Sequence, residues 1–184
     1  KNNKLNSTLH VVNNYGELLE KKDISEHKKK YIKRIIKKKN NIDFFYFSEL
    51  NDDIFEATLL LKPSNIHRNS TIDQAAKLAK AICNATWNVV FSPKFKNEVI
   101  YDFILGWGLS FYMFSIQKIK DKEKYLNLKS LNQFPSKLIQ RCKNQIEGIY
   151  IARNLINLPP NILNPSEYEK QIFKIFNKEN VEIN

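Results

Sequence analysis

The chain has 184 residues, enough for one ordinary domain with an appendage and a substantial buried core. Hydrophobic residues make up 42% and aromatics 12%, a composition that excludes a disordered tail or linker. The formal net charge is +11, from 30 Lys+Arg against 19 Asp+Glu, which invites a nucleic-acid or acidic-surface reading. The same lysines belong to a chain saturated with Lys, Asn and Ile and holding only 4 glycines, a skew that an AT-rich coding bias imposes. Compositional drift is the preferred reading.

In chain order, Lys1 to Asn6 is polar and Ser7 to Val12 alternates weakly, as a strand does. Glu26 to Lys39 predicts a basic helix whose buried stripe is Tyr31, Ile32, Ile35 and Ile36. Asp43 to Phe47 and Ile54 to Leu61 read as strands around the turn Asn51-Asp52-Asp53, an antiparallel hairpin. Pro63 ends it. Thr71 is the expected N-cap of an alanine-rich helix, with Gln74 as its capping-box partner. Trp87 to Phe91 reads as a strand, Asn97 to Lys118 as an apolar helix and Tyr125 to Leu128 as a short strand. A long helix starts near Ser136, with Leu138, Ile139, Cys142, Ile146, Ile149 and Tyr150 at helical spacing. Ser166 to Phe176 forms the last helix, and Val181 to Ile183 suggests a further strand. This alternation predicts an α/β domain: a mixed sheet with helices on both faces.

The apolar run Val99 to Ile116, interrupted by Asp102 and Ser110, is shorter than the roughly 20 residues a membrane span needs. It is read as a helix buried against the sheet, where Gly106 and Gly108 permit close helix–strand contact; no membrane association is expected. Cys83 and Cys142 lack C-x-x-C spacing and are read as two thiols in a reducing compartment, although sequence alone leaves a disulfide open. No signal peptide is legible, and a start at Lys1 suggests a trimmed natural beginning.

Catalytic chemistry is hard to place in this chain. His10, His27 and His67 are scattered; His27 with Glu26 and Asp23 reads as helix-start electrostatics rather than a metal site. Asn51-Asp52-Asp53 lacks the ligand pattern of a calcium loop. No serine occupies a G-x-S-x-G turn, and 4 glycines supply no phosphate-cradling loop. No catalytic, metal-ligating or cofactor-binding residue is assigned. The lysines from Lys28 to Lys39 offer a phosphate-facing surface, but with Tyr31 as the sole interleaved aromatic a solvated helix face is preferred.

The most specific stretch is Glu147 to Pro165, a helix halted by Pro159-Pro160 and followed by a short turn into a new helix. Pro159 lacks the N–H a continuing helix needs, and each proline disfavours α conformation in its predecessor. Asn161 and Asn164 suit Asx-type turns, and Pro165 the first turn of the next helix. Glu147, Gly148, Ala152, Arg153, Leu155, Asn157, Pro159, Pro160, Asn161, Leu163 and Pro165 fall at the spacing E-G-x-x-x-A-R-x-L-x-N-x-P-P-N-x-L-x-P. In this pattern the segment resembles the junction of the leucyl (cytosol) aminopeptidase family. Leu105 to Phe114 is similar to an L-G-W-x-L-G-x-Y-x-F helix of one bacterial branch, with Ser110 in place of its glycine and Met113 in place of a polar residue.

The resemblance implies three parts: residues 1–134 as a non-catalytic α/β domain, 135–158 as a linking helix and 159–184 as the start of a catalytic domain. It further implies a cytoplasmic homo-hexameric parent enzyme that removes N-terminal amino acids from peptides with two divalent ions, Mn or Zn. In the family a lysine, aspartates and a glutamate hold those ions, all after the junction. The chain reaches Asn184 where that domain's first strand is expected, so the fragment itself is expected to bind no metal and to be inactive. Two alternatives stay open: a free-standing basic module that contacts nucleic acid, and a diverged, inactive family member used for assembly.

Overall fold

The computed structural model describes residues 6–20, 24–38, 44–48, 55–61, 67–82, 86–114, 127–128 and 134–176. Strand β1 (Asn6–Val12) is followed by a single helical turn α1 (Gly16–Leu19) and helix α2 (Glu26–Lys38). Strands β2 (Phe44–Ser48) and β3 (Phe55–Leu60) come next, then helix α3 (Arg68–Ala81), strand β4 (Thr86–Phe91) and helix α4 (Asn97–Leu109). Strand β5 (Asn127–Leu128), helix α5 (Ser136–Asn157) and helix α6 (Pro165–Phe176) complete the order.

The strands form one sheet in the order β2-β3-β1-β4-β5. β1 runs parallel to β3 and β4, β4 parallel to β5, and β2 antiparallel to β3. The predicted hairpin and the mixed α/β class are therefore observed. Leu9, fully buried, stands opposite Ala57 on one side and Val89 on the other. Such central strands bury both faces. Leu9, Val11, Leu59 and Val89 join the larger core with side chains of α3, α4 and α5, whereas Val12 and Leu60, one residue on, meet Leu18, Ile24 and Ile32. The two-residue period of a strand thus feeds two cores.

Topology explains the layers. The connections β3–α3–β4 and β4–α4–β5 advance across the sheet in one direction, and right-handed crossovers put both helices on one face. The path from β1 towards β3 runs the other way, which leaves α2 on the opposite face. The helices on the first face are parallel. Arg68 pairs with Asp102, and Ile72 packs at Gly106, between α3 and α4. Tyr101 meets Gln145 and Gly108 meets Ile146 between α4 and α5.

Several boundaries differ from the sequence reading. Helix α3 begins at Arg68 after an extended His67, and Thr71 lies inside it, buried, with its N–H bonded to the His67 carbonyl. Gln74 donates its side-chain N–H to Ser70 Oγ, one turn back, at 3.2 Å instead of closing a capping box. Helix α4 stops at Leu109, well before Lys118. The Ser110 hydroxyl donates to the Trp107 carbonyl at 2.7 Å, in a last turn already weakened by Gly106 and Gly108. Those two glycines serve helix–helix contact rather than the expected helix–strand contact. On α2, Ile32 is buried as expected, but Tyr31 is 47% exposed and lies off the buried stripe. The expected turn at Asn51-Asp52-Asp53, the break at Pro63, Cys83 and the strand at Val181 to Ile183 lie outside the described residues.

Candidate functional site at the junction of α4, α5 and α6

Helix α5 ends where the double proline requires. Leu158 leaves the helix at φ −73° and ψ 135°, the extended conformation forced before proline. The Pro159 carbonyl then accepts from the N–H groups of Ile162 and Leu163, each at 2.9 Å, and closes a compact turn. Asn164 caps the next helix: its Oδ1 accepts from the Glu167 N–H at 2.9 Å, and its carbonyl accepts from the Tyr168 N–H at 2.8 Å. Pro165 occupies the first helical position, where its missing N–H costs nothing. Glu167, in the first turn of α6, accepts from Gln171 and pairs with Lys170 at 3.5 Å. The Gln171 hydrogen bond is the main reason its carboxyl lies below the usual glutamate range, and the lysine adds to it.

The two sequence motifs meet in space. The end of α4 and the residues after it supply Gly108, Tyr112 and their neighbours, against which the second half of α5 is pinned. The Tyr150 hydroxyl donates to the Gly108 carbonyl, and the rings of Tyr112 and Tyr150 meet edge to face, centroids 5.2 Å apart. The Arg153 guanidinium lies over the Tyr112 ring at 5.2 Å, and Asn157 Nδ2 donates to the Tyr112 hydroxyl at 3.0 Å. Burial raises the Tyr150 phenol above its ordinary range, partly opposed by Arg153. About two turns before Tyr150, Cys142 is fully buried and its thiol donates to the Tyr101 carbonyl at 3.8 Å. Burial, with a smaller contribution from nearby Asp102, pushes that thiol up to about 11. Cys142 is free, as a structural thiol is expected to be.

Beyond this pinned edge the junction is open. Helix α6 has no buried residue, and Ile156 on α5 is 81% exposed. The two helices flank an apolar cleft of about 610 Å³ lined by Ile151, Leu155, Ile156, Tyr168, Ile172 and Phe176, among others. Sequence reading placed Tyr168, Ile172, Phe173 and Phe176 on α6, but not the uncovered face they form.

The other residues weighed from sequence do not converge. His27 lines a shallow cleft on α2 with Glu26, Lys30 and Lys33, while His67 lies just before α3 and His10 on β1. Among the described residues no three His, Cys, Asp or Glu side chains are placed to hold a metal ion. No helix among them is long and apolar enough to cross a membrane.

No family model matches the chain. A probable cytosol aminopeptidase of Methylorubrum extorquens is 33% identical over 82 residues, which cover 41% of this chain and 16% of that protein. Its counterpart in Methylorubrum populi matches with the same identity and coverage. The fold is shared with a cytosol aminopeptidase from Coxiella burnetii at a TM-score of 0.68 and 14% identity, over 97% of this chain and 36% of that one. A tomato leucine aminopeptidase mutant superposes at a TM-score of 0.62 and 14% identity, over 95% of this chain and 40% of that one. The bottromycin maturation enzyme BotP in complex with Mn superposes at 0.64 and 11% identity, over 95% of this chain and 36% of that one. The chain thus spans about one sixth of the curated relatives it matches. Over the part it spans, this chain is similar in sequence to two probable cytosol aminopeptidases and shares the fold of cytosol and leucine aminopeptidases.

Proposed function

We propose that this chain is the N-terminal, non-catalytic portion of a leucyl-type aminopeptidase, a metal-dependent hydrolase that removes N-terminal amino acids from peptides. The observation that carries this reading is the junction itself: a 22-residue helix α5, halted by Pro159-Pro160 and re-started at an Asn164-capped α6, at the motif spacing of that family. In this reading residues 1–134 are the non-catalytic domain, 135–158 the linking helix and 159–184 the start of the catalytic domain. The open apolar face of α5 and α6 supports the same division, because a helix without a buried residue gains its stability from something packed against it.

The residues described here do not fit a two-ion centre, since no ligand set converges among them. In this proposal the two divalent ions, Mn or Zn, are held by polypeptide beyond these residues, together with the peptide substrate. A homo-hexameric, cytoplasmic parent enzyme completes the proposal. The test is direct. The purified 184-residue chain, incubated with leucine p-nitroanilide and Mn or Zn, should show no metal-dependent turnover, while the full-length protein should show it. Turnover by the chain alone would overturn the assignment. An inactive full-length protein would favour the diverged assembly member instead.

A further inference from the structure

The right-handed crossovers that lay α3 beside α4, and the packing of α5 along α4, bring the first turns of these three helices to one edge of the sheet layer. Between those turns lies an open pocket of about 430 Å³, lined by Arg68, Lys137, Arg141, Asp102, Glu98 and Asn97. It is separate from the junction, which sits at the opposite ends of α4 and α5. We propose that this pocket binds inorganic phosphate, in the hydrogen phosphate form that keeps an O–H at neutral pH.

Three cationic side chains carry the proposal. Arg141 is held in place by its guanidinium lying over the Tyr101 ring, 5.4 Å from the centroid, an arrangement that leaves its N–H edge available. Tyr101 is itself fixed by its hydroxyl on Gln145. Lys137, one turn before Arg141 on α5, is on the same helix face. Arg68 reaches in from α3 and is oriented by Asp102, Nε to Oδ1 at 3.5 Å. Planar guanidinium groups and an ammonium on three sides suit a tetrahedral oxyanion. The ends of the helices add to the field, since α3, α4 and α5 all begin without a side-chain cap. Glu98 sets one exposed negative charge against this arrangement.

Asp102 decides which oxyanion fits. Its side chain is 13% exposed and lines the pocket, so a bound anion meets a carboxylate as well as the cations. Hydrogen phosphate has an O–H to donate to that carboxylate. Sulfate at neutral pH has none, nor has a phosphate monoester as its dianion, so each places two acceptors face to face, with repulsion that no hydrogen bond offsets.

The experiment is titration calorimetry of the 184-residue chain in chloride buffer at pH 7.5 and matched ionic strength, with inorganic phosphate, sulfate and glycerol 3-phosphate as probes. Phosphate should bind saturably at a single site, and sulfate and glycerol 3-phosphate at least about tenfold more weakly, the scale of one charge-assisted hydrogen bond. Lys137→Gln/Arg141→Gln should weaken phosphate at least about tenfold. Lys30→Gln/Lys33→Gln on α2 should leave it unchanged. Asp102→Asn should lift sulfate to the level of phosphate. Lys137 and Arg141 are exposed, so thermal unfolding of their variant in chloride should match the parent chain. The site assignment is overturned by an absence of saturable phosphate binding, or by equal weakening in the α2 variant. Sulfate binding as tightly as phosphate to the parent chain overturns the role given to Asp102.

Discussion

The guanidinium of Arg153 lies over the ring of Tyr112 at 5.2 Å, and the same tyrosine accepts a hydrogen bond from Asn157 through its hydroxyl. Arg153 and Asn157 belong to the junction motif and Tyr112 to the shorter motif 45 residues upstream of Asn157, so one aromatic ring joins the two. Tyr112→Phe keeps the stacking and loses the hydroxyl, and should cost about 0.5–1 kcal/mol. Tyr112→Ala loses the edge contact with Tyr150 as well and should cost about 1–3 kcal/mol in urea unfolding. Equal costs for the two variants would mean that the ring contributes nothing beyond its hydroxyl.

Three glycines in helices test packing against propensity. A Cβ at Gly106 would strike the backbone of Ile72, which cannot move aside, whereas at Gly108 it would meet the side-chain end of Ile146, which can. At Gly148 it would meet nothing within 4 Å. Alanine gains about 1 kcal/mol of helix propensity over glycine, while overpacking costs about 1–3 kcal/mol. Gly148→Ala should therefore stabilise the chain, Gly106→Ala should destabilise it most, and Gly108→Ala should fall between. Chemical unfolding midpoints give the order directly.

Much of the fold was legible because it rests on local signals. The alternation of Val11 and Val12 between two cores, the antiparallel hairpin and the proline stop after Leu158 all follow from side-chain period or proline chemistry. Where tertiary contact decided, sequence reading failed. Thr71 resembles an N-cap, yet packing of the α3 start beside Asp102 extends the helix back to Arg68. Helix α4 looked longer because Phe111 to Phe114 are apolar, but Ser110 and two glycines end it first. The single turn at Gly16–Leu19 left no periodic signal long enough to read. At the junction the turn and cap chemistry were readable from Pro159, Asn164 and Pro165. The uncovered face between α5 and α6 was not, because a helical stripe predicts burial without saying against what.

The cap at Asn164 separates local from global stability. Asn164→Ala removes the acceptor for the Glu167 N–H and should cost about 1 kcal/mol. Helix α6 buries no residue, so that loss should appear as faster amide exchange in residues 165–176 with little change in the sheet. Glu167 adds a pH dependence. Its folded-state pKa is lowered, so its contribution is present above the unfolded glutamate value and is lost as pH falls through the folded one. Protection of the α6 amides, taken relative to their intrinsic exchange at each pH, should accordingly fall at acid pH, and Glu167→Gln should blunt that fall.

Cys142 predicts the opposite pH window. Burial raises its thiol from 9.0 to about 11, so the folded state favours the protonated form. That contribution is fully present below pH 9 and is lost as pH rises through about 11. In a Cys83→Ser background, Cys142 should resist iodoacetamide at pH 8 and react only after denaturant is added. Rapid alkylation of the native protein would show a thiol far more accessible than its zero exposure allows.

The basic helix α2 sets function against composition. Lys30, Lys33, Arg34 and Lys37 are exposed, and the cleft that Lys30 and Lys33 border also holds Glu26, a negative charge where phosphate contact would need none. A nucleic-acid surface making six or more phosphate contacts should lose roughly a thousandfold in affinity between 50 and 200 mM salt. A solvated face should bind no more tightly than about 10⁻⁶ M at physiological salt, the level of non-specific attraction. Titrating labelled duplex and single strands against the chain and against Lys33→Glu/Lys37→Glu separates the two. Weak binding, little changed by the variant, is expected, because the buried side of α2 is secured by Ile32 and its outer lysines need no partner. Submicromolar binding abolished by the variant would instead make α2 the principal contact surface of this domain.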